Sequence, residues 1–282
     1  MNAKRLLFVI MAIVLLQSCE RPRIDVQSRG IVLPDTTVVH YLEAGQGPVL
    51  VLVHGLGSSS EIWRETIIRL ARDYRVIAPD LPGYGKSDRP RADYSVRYHA
   101  ASLTQFLDVL GIEKAALAGN SLGGWLAVLA ALDRPENITH LILVDSAGLL
   151  TDRLPQVTLN PSTAQEERAL LDALFGNKAH ITDELVAEDL KYRRSVSATV
   201  LATLASFRSN PPFLDARLKD IKVPTLVVWG GQDMLTPLEL SERFVKGIPG
   251  ARRIVIEGAG HTPQVEAPKE FARAVKGFVR SW

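Results

Sequence analysis

The stretch Ala118-Gly119-Asn120-Ser121-Leu122-Gly123-Gly124 leaves the chain few ways to fold around it. A short apolar run, Ala115-Ala116-Leu117-Ala118, precedes it, and a helical pattern from Leu122 to Leu132 follows. A Gly-x-Ser-x-Gly sequence at such a junction turns a strand directly into a helix, through a corner so tight that the serine takes strained backbone angles. Gly119 and Gly123 lack a Cβ, which lets strand and helix approach closely. Ser121 Oγ then projects beyond the corner above a helix N-terminus, which stabilises negative charge developing there. Five residues match many unrelated proteins, so the context decides their meaning.

Downstream, Leu226-Val227-Val228-Trp229-Gly230 reads as a buried strand, with Gly231-Gln232-Asp233 as the turn at its end. Ile254-Val255-Ile256 is a further strand, followed by the loop Gly258-Ala259-Gly260-His261. A serine hydroxyl is a poor nucleophile at neutral pH. It needs an imidazole within reach, and the imidazole needs a carboxylate to fix its tautomer and stabilise its cation. Ser121, Asp233 and His261 supply these groups in the order nucleophile, acid, base, each just past a predicted strand end. Asp145, after Leu141-Ile142-Leu143-Val144, competes with Asp233 for the acid position, and the WGGQD turn favours Asp233. An oxyanion also needs donors. Val49 to Val53 is an uninterrupted apolar run, as in a central parallel strand, and His54-Gly55-Leu56-Gly57 follows it. The N–H of Leu56, or of a neighbour in this loop, is the candidate partner for the N–H of Leu122.

With these residues in place, the chain resembles a capped serine hydrolase of the α/β-hydrolase superfamily, esterase- or lipase-like. The matching segments are HGLGSS at 54–59, PDLPGYGKSD at 79–88, GNSLGG at 119–124, WGGQD at 229–233 and GAGHTPQVEAP at 258–268. They run in the family's order from about residue 30 to the C-terminus. The resemblance implies an α/β fold: a mostly parallel sheet covered by helices on both faces, with a helical cap inserted. It implies a Ser121-His261-Asp233 triad, ester substrates and an acyl-enzyme, without a cofactor. A serine at this position argues against the dehalogenase and epoxide hydrolase chemistries of relatives that use aspartate. His54 is expected to hold the oxyanion loop by hydrogen bonds, and Asp80 and Asp88 to organise the loop after the fourth strand.

Composition agrees: 46% hydrophobic and 23% charged residues in 282 suit one sizeable core. Apolar runs at 49–53, 76–78, 115–118, 141–144, 226–229 and 254–256 alternate with helical patterns at 60–72, 96–110, 122–132, 238–247 and 266–280. Val38 to Leu42 reads as an antiparallel edge strand. The expected core is 31–148 with 221–282, and 149–220 is the cap, with helices near 164–175, 183–193 and 196–207. A cap of this kind excludes water and shapes the pocket. Leu170, Leu174, Phe175, Phe207 and Phe213 are candidates for its lining, with packing of the cap onto the core as the plainer role for each.

The N-terminus is of another kind. Lys4 and Arg5 precede an eleven-residue apolar stretch, Leu6 to Leu16, too short for an ordinary membrane span and typical of a signal sequence. Leu16-Gln17-Ser18-Cys19 then resembles a bacterial lipobox, with Gln17 the departure from its usual pattern, and Cys19 is the only cysteine. The reading is a signal peptide over 1–18, lipidation at Cys19 and a tether over 19–30; an ordinary signal peptide is the alternative. The mature protein then belongs to the bacterial cell envelope, held by lipid on Cys19, and Glu20 is compatible with the outer membrane. Losing Lys4 and Arg5 brings the net charge from +2 to 0, so neither nucleic acid nor anionic lipid has an electrostatic claim on the domain.

The six histidines are scattered, without HExxH or CxxC spacing, and no phosphate loop or dinucleotide fingerprint occurs. No metal is therefore expected. Two alternatives to ester hydrolysis stand. Hydrolases that cleave carbon–carbon bonds in ring-fission products share the GNS-x-GG corner, but often carry tryptophan where this chain has Thr262. A non-catalytic envelope binding module on a hydrolase fold would keep its function in Ser121→Ala.

Overall fold

A computed structural model describes residues 24–280 apart from 154 and 210. The signal peptide read over 1–18 and the lipidation at Cys19 lie outside the described residues. Among those described, no helix is long and apolar enough to cross a membrane.

Eight strands form one sheet: β1 (Gln27–Val32), β2 (Val38–Ala44), β3 (Val49–Val53), β4 (Arg75–Pro79), β5 (Ala115–Asn120), β6 (Ile138–Val144), β7 (Thr225–Gly230) and β8 (Arg252–Ile256). Their spatial order is β1-β2-β4-β3-β5-β6-β7-β8. The pairings β1–β2 and β2–β4 are antiparallel; from β4 to β8 the sheet is parallel. The α/β class and the mostly parallel sheet read from the sequence are therefore what the chain forms.

Strand alternation divides the core in two. Val51, Val53, Leu117, Leu141 and Leu143 point to one face, beneath α2 (Val96–Val109), α3 (Leu122–Asp133) and α6 (Leu238–Gly247). Leu50, Leu52, Ala116, Ala118, Ile142 and Val144 point to the other, against α1 (Arg64–Leu70) and α8 (Pro268–Val279). Each fully buried aliphatic side chain contributes about 1.5–3 kcal/mol by leaving water. Because both faces are covered, the inner strands from β3 to β7 read as apolar runs.

Four boundaries differ from the sequence reading, each for a local reason. Residues 27–30, read as tether, already belong to β1; its side chains are largely exposed, so it carries no apolar alternation and is held by backbone pairing to β2. The helix read over 60–72 begins as a tight turn at Ser60–Trp63 before α1. The helix read over 266–280 is divided at Ala267, where Pro268 starts α8 after the short α7 (Pro263–Glu266).

The cap provides the fourth. It contains α4 (Ala164–Leu174), opened by a Thr163/Glu166 capping box, and α5 (Asp183–Ser206). The two helices read over 183–193 and 196–207 are this single α5. Its inner face runs Val186, Leu190, Arg193, Val196, Val200 and Thr203. Arg193 looks like a break in that stripe, yet it is buried because Glu167 and Asp189 receive its guanidinium at 3.1 and 2.7 Å.

Candidate active site

The carboxyl ends of the parallel strands gather the candidate residues at one edge of the sheet. Ser121 follows β5 with φ 54° and ψ −119°, a conformation rare for a residue with a side chain. The corner enforces it. A Cβ on Gly119 would lie 2.1 Å from the Gly123 carbonyl oxygen, and one on Gly123 would lie 2.2 Å from that of Val53. The Ser121 N–H donates to the Val144 carbonyl at 2.9 Å, and its own carbonyl accepts from Gly124, Trp125 and Ala147. The serine is thus fixed by backbone on every side, which leaves its hydroxyl for chemistry. As the first residue of α3, Leu122 has an amide with no carbonyl one turn back to receive it.

The loop after β3 passes over the serine. A Cβ on Gly55 would lie 3.1 Å from Ser121 Cβ, and Leu56 packs against the core beside it. His54 holds this loop as expected. Its Nε2 accepts the Leu81 N–H at 3.0 Å, so Nδ1 carries the proton and donates to the Gly55 carbonyl at 2.8 Å. Complete burial keeps the ring neutral by pushing its pKa down. Asp80, after β4, receives Ser60 N–H at 2.6 Å and Lys86 N–H at 2.8 Å and faces His40 Nδ1 at 2.8 Å. It organises its loop, as does Asp88, which receives Val38 N–H at 2.8 Å.

Asp233 and His261 meet across the ends of β7 and β8. His261 Nδ1 lies 2.8 Å from Asp233 Oδ2, with both side chains almost wholly buried. Asp233 Oδ1 accepts the N–H groups of Leu235 at 2.8 Å and Thr236 at 3.0 Å, an Asx turn closed by the chain's own spacing. The Thr236 hydroxyl donates to Asp233 Oδ2 and lies 3.1 Å from His261 Nδ1. Burial opposes the Asp233 charge, but the His261 imidazole and these hydrogen bonds hold its carboxyl below the ordinary range. Asp145, the competing acid, follows β6 and is fully buried. Burial and the neighbouring Asp233 charge push its carboxyl well above the ordinary carboxylate range.

Three residues that the sequence reading left unassigned hold this arrangement together. Asn120 Nδ2 donates to the His261 carbonyl at 3.0 Å and the Val144 carbonyl at 3.2 Å, tying the residue before Ser121 to the histidine loop. Glu266 accepts Gly260 N–H at 2.7 Å on one oxygen, and Gly176 and Asn177 N–H at 2.8 and 3.1 Å on the other. It joins the histidine loop to the end of α4 in the cap, where His261 N–H also donates to the Leu174 carbonyl at 2.7 Å. Thr236 is the third. Asn120 and Glu266 lie inside quoted motifs, and Thr236 lies three residues past Asp233, but only the folded chain shows what each one reaches.

The pocket residues go elsewhere. Phe207 and Phe213 pack on Trp125 of α3, with ring centroids 5.5 and 5.4 Å away and the second ring stacked within 10°. Phe175 packs in a separate cluster of the cap with Leu171, Ile181 and Val186. Phe207 and Phe213 thus join cap to core, the plainer of the two roles expected of them, while Phe175 packs within the cap itself. Apolar patterning marks a residue as buried without saying against which neighbour.

Asp145, Asp233 and His261 each bring one donor atom to within 4.8 Å of the others. A cation there would have to displace the proton between His261 Nδ1 and Asp233, so cation binding and the present hydrogen bond exclude each other.

Comparison with known proteins agrees with this fold. The profile of the alpha/beta hydrolase family matches residues 50–274. A 2-hydroxymuconate semialdehyde hydrolase of Pseudomonas sp. (strain CF600) is 33% identical over 253 residues, covering 84% of this chain and 88% of its own. Among solved structures, a membrane phospholipase A described as a bacterial virulence factor superposes with TM-score 0.86 at 28% identity, covering 98% of this chain and 96% of its own. The meta-cleavage product hydrolase CumD of Pseudomonas fluorescens IP01 gives TM-score 0.81 at 30% identity, covering 90% and 97%.

Proposed function

Because the chain belongs to the alpha/beta hydrolase family, we propose that it is a serine hydrolase of carboxylic esters, working through an acyl-enzyme on Ser121. The observation that carries this reading is the 2.8 Å contact of His261 Nδ1 with Asp233 Oδ2, on a histidine loop tied by Asn120 to the residue before a serine held in strained backbone. With Nδ1–H turned to Asp233, His261 Nε2 is the base. It takes the Ser121 proton as Oγ attacks the carbonyl carbon, and the N–H groups of Leu122 and Leu56 receive the oxyanion. Collapse expels the alcohol, protonated by His261, and water activated by the same imidazole releases the acid.

Carbon–carbon bond hydrolysis is the second reading, favoured by the 33% identity to a semialdehyde hydrolase and by the likeness to CumD. Relatives named as hydrolases of dienoic acids act on substrates that carry a carboxylate. Here the buried guanidinium that reaches Gly57, that of Arg193, is already offset by Glu167 and Asp189. A neutral acyl ester needs no such free cation, and the phospholipase likeness over 98% of the chain points the same way. The N-terminal pattern adds an envelope location, with lipid on Cys19 bringing the domain to its acyl substrates. Mass spectrometry of the mature N-terminal peptide and release of Cys19→Ser from the membrane fraction test that part.

The catalytic reading is tested by labelling residues 20–282 with a fluorophosphonate and mapping the modified peptide. Labelling at Ser121, lost in His261→Ala, is expected, followed by turnover of p-nitrophenyl esters of graded length. Absence of labelling in folded protein by probes of several sizes would sink the mechanism and leave the binding module. Faster turnover of a 2-hydroxy-6-oxodienoate than of any ester would transfer the reading to carbon–carbon cleavage.

A further inference from the structure

A second carboxyl stands behind the first. Asp145 begins the loop after β6, and its N–H extends the ladder by donating to the Val228 carbonyl at 3.0 Å. It sits at φ 45°, a left-handed conformation that a residue with a side chain adopts at some cost, and its side chain is wholly buried. Oδ1 accepts the Gly230 N–H at 2.8 Å. Oδ2 is equally buried and meets no donor.

Two of the groups around Asp145 are carboxylates, and no cationic side chain is among the groups that most shift its carboxyl. Asp233 and His261 lie within the 4.8 Å cluster, the Glu266 carboxylate adds negative charge, and the Thr236 hydroxyl lies against the Asp145 carbonyl at 3.2 Å. An ionised Asp145 would therefore face two carboxylates from a buried position, with an acceptor oxygen left unsatisfied. Two like charges so placed do not both ionise. A proton on Oδ2 removes both difficulties, because the oxygen becomes a donor and the Asp233 carboxylate stands by as its acceptor.

We propose that Asp145 is a positioning residue of the site, a neutral carboxylic acid whose Oδ2–H donates to Asp233 and holds that carboxylate on His261 Nδ1. The proposal rests on the reading of Ser121, Asp233 and His261 as the triad. The high pKa of the Asp145 carboxyl, from burial first and the Asp233 charge second, agrees with it. Asp145 keeps its proton throughout the cycle, and no step transfers it. Its donation draws off part of the Asp233 charge, so the imidazolium of His261 is stabilised less. The acid limb of kcat/KM is accordingly expected to lie lower than in a variant that lacks this donor.

The experiment compares pH profiles of p-nitrophenyl ester hydrolysis for the wild type, Asp145→Asn, Asp145→Ala and Asp233→Asn, with wild-type labelling at Ser121 as the check on the underlying reading. Asparagine keeps both features, an oxygen for the Gly230 N–H and a donor for Asp233. Asp145→Asn is expected within about 3-fold of the wild type in kcat, with its acid limb unmoved. Asp145→Ala is expected to lose about 10-fold or more in kcat with KM little changed, the loss of one hydrogen bond in a buried network, and its acid limb should rise. An Asp145→Asn enzyme as impaired as Asp233→Asn, or an acid limb displaced to lower pH in it, would mean that a charge had been removed, and overturns the proposal. Equal activity in the Asn and Ala variants overturns it too. If the Ala variant does not fold, the Asn profile alone decides. An unlabelled wild type defeats the triad reading and this proposal with it, whereas a labelled wild type with a crippled Asn variant defeats only the latter.

Discussion

Asp233 at the sheet edge and Glu167 in the cap are both buried carboxyls with a basic partner and a second acid beside them, yet they hold charge in opposite ways. Asp233 receives two backbone amides, one hydroxyl and the His261 N–H, and its carboxyl is held below the ordinary range. Glu167 shares the single Arg193 guanidinium with Asp189, its Oε2 meets no donor, and burial pushes it up to about 8. The difference lies in the count and rigidity of donors. A turn fixed by local sequence supplies amides that cannot move away, whereas one long side chain must serve two carboxylates. The sheet edge is therefore built to keep its charge across neutral pH, and the cap is the half whose charge state changes.

The largest effects expected are on chemistry at the sheet edge alone. Ser121→Ala and Asp233→Asn should each lower kcat by about 10⁴ or more, with melting temperatures near the wild type, while Glu167→Gln leaves kcat within a few-fold. Steady-state kinetics of the three variants checks this, and a Glu167→Gln enzyme as dead as Asp233→Asn would erase the contrast. Next comes the corner beneath Ser121. Gly123→Ala places a Cβ on the Val53 carbonyl, with no flexible atom to yield, and should cost about 3 kcal/mol or more, read as a fall in urea midpoint.

In the cap, Arg193→Met strands Glu167 and Asp189 without their cation. About 3 kcal/mol of local stability should be lost, seen as faster amide exchange in α4 and α5 with β5 and β6 unchanged; exchange rising equally in the sheet would show that cap and core are one cooperative unit. The smallest effect is the pH dependence of the cap. The folded chain binds the Glu167 proton more tightly than the unfolded chain. Its contribution to stability is thus complete below the unfolded glutamate value of 4.5 and is lost as pH rises through about 8. Thermal unfolding between pH 5 and 9 should show that decline in the wild type and not in Glu167→Gln.

How much of this was legible depended on the range of the interaction. The strands from β3 to β7 were readable because burial on both faces makes each an apolar run, and β8 because Ile254-Val255-Ile256 is apolar although the strand is largely exposed. At the Ser121 corner Gly119 answers to the Gly123 carbonyl four residues on, whereas the contact of Gly123 with the Val53 carbonyl is a tertiary one. Strand β1 was missed because backbone pairing leaves no mark on exposed side chains. Helix α5 was read as two, with the exposed Arg194 and Ser195 between the segments, and only the fold shows Arg193 buried in its stripe, where Glu167, 26 positions earlier, receives it. The aromatic residues of the cap were correctly apolar, and only the fold assigned Phe207 and Phe213 to Trp125 and Phe175 to the cap's own cluster.

The sequence by itself determined the alternation of strands and helices, the tight turn at Ser121 and the Asx turn at Asp233. All three follow from periodicity and from contacts between near neighbours. The tertiary structure alone decided that Asp145 stands behind the His261–Asp233 pair that the sequence motifs favoured, and that Glu266 and Asn120 lock the histidine loop in place. Those choices depend on which strand ends lie side by side. Strand order in a sheet is set by packing over the whole core, where residues more than a hundred positions apart become neighbours.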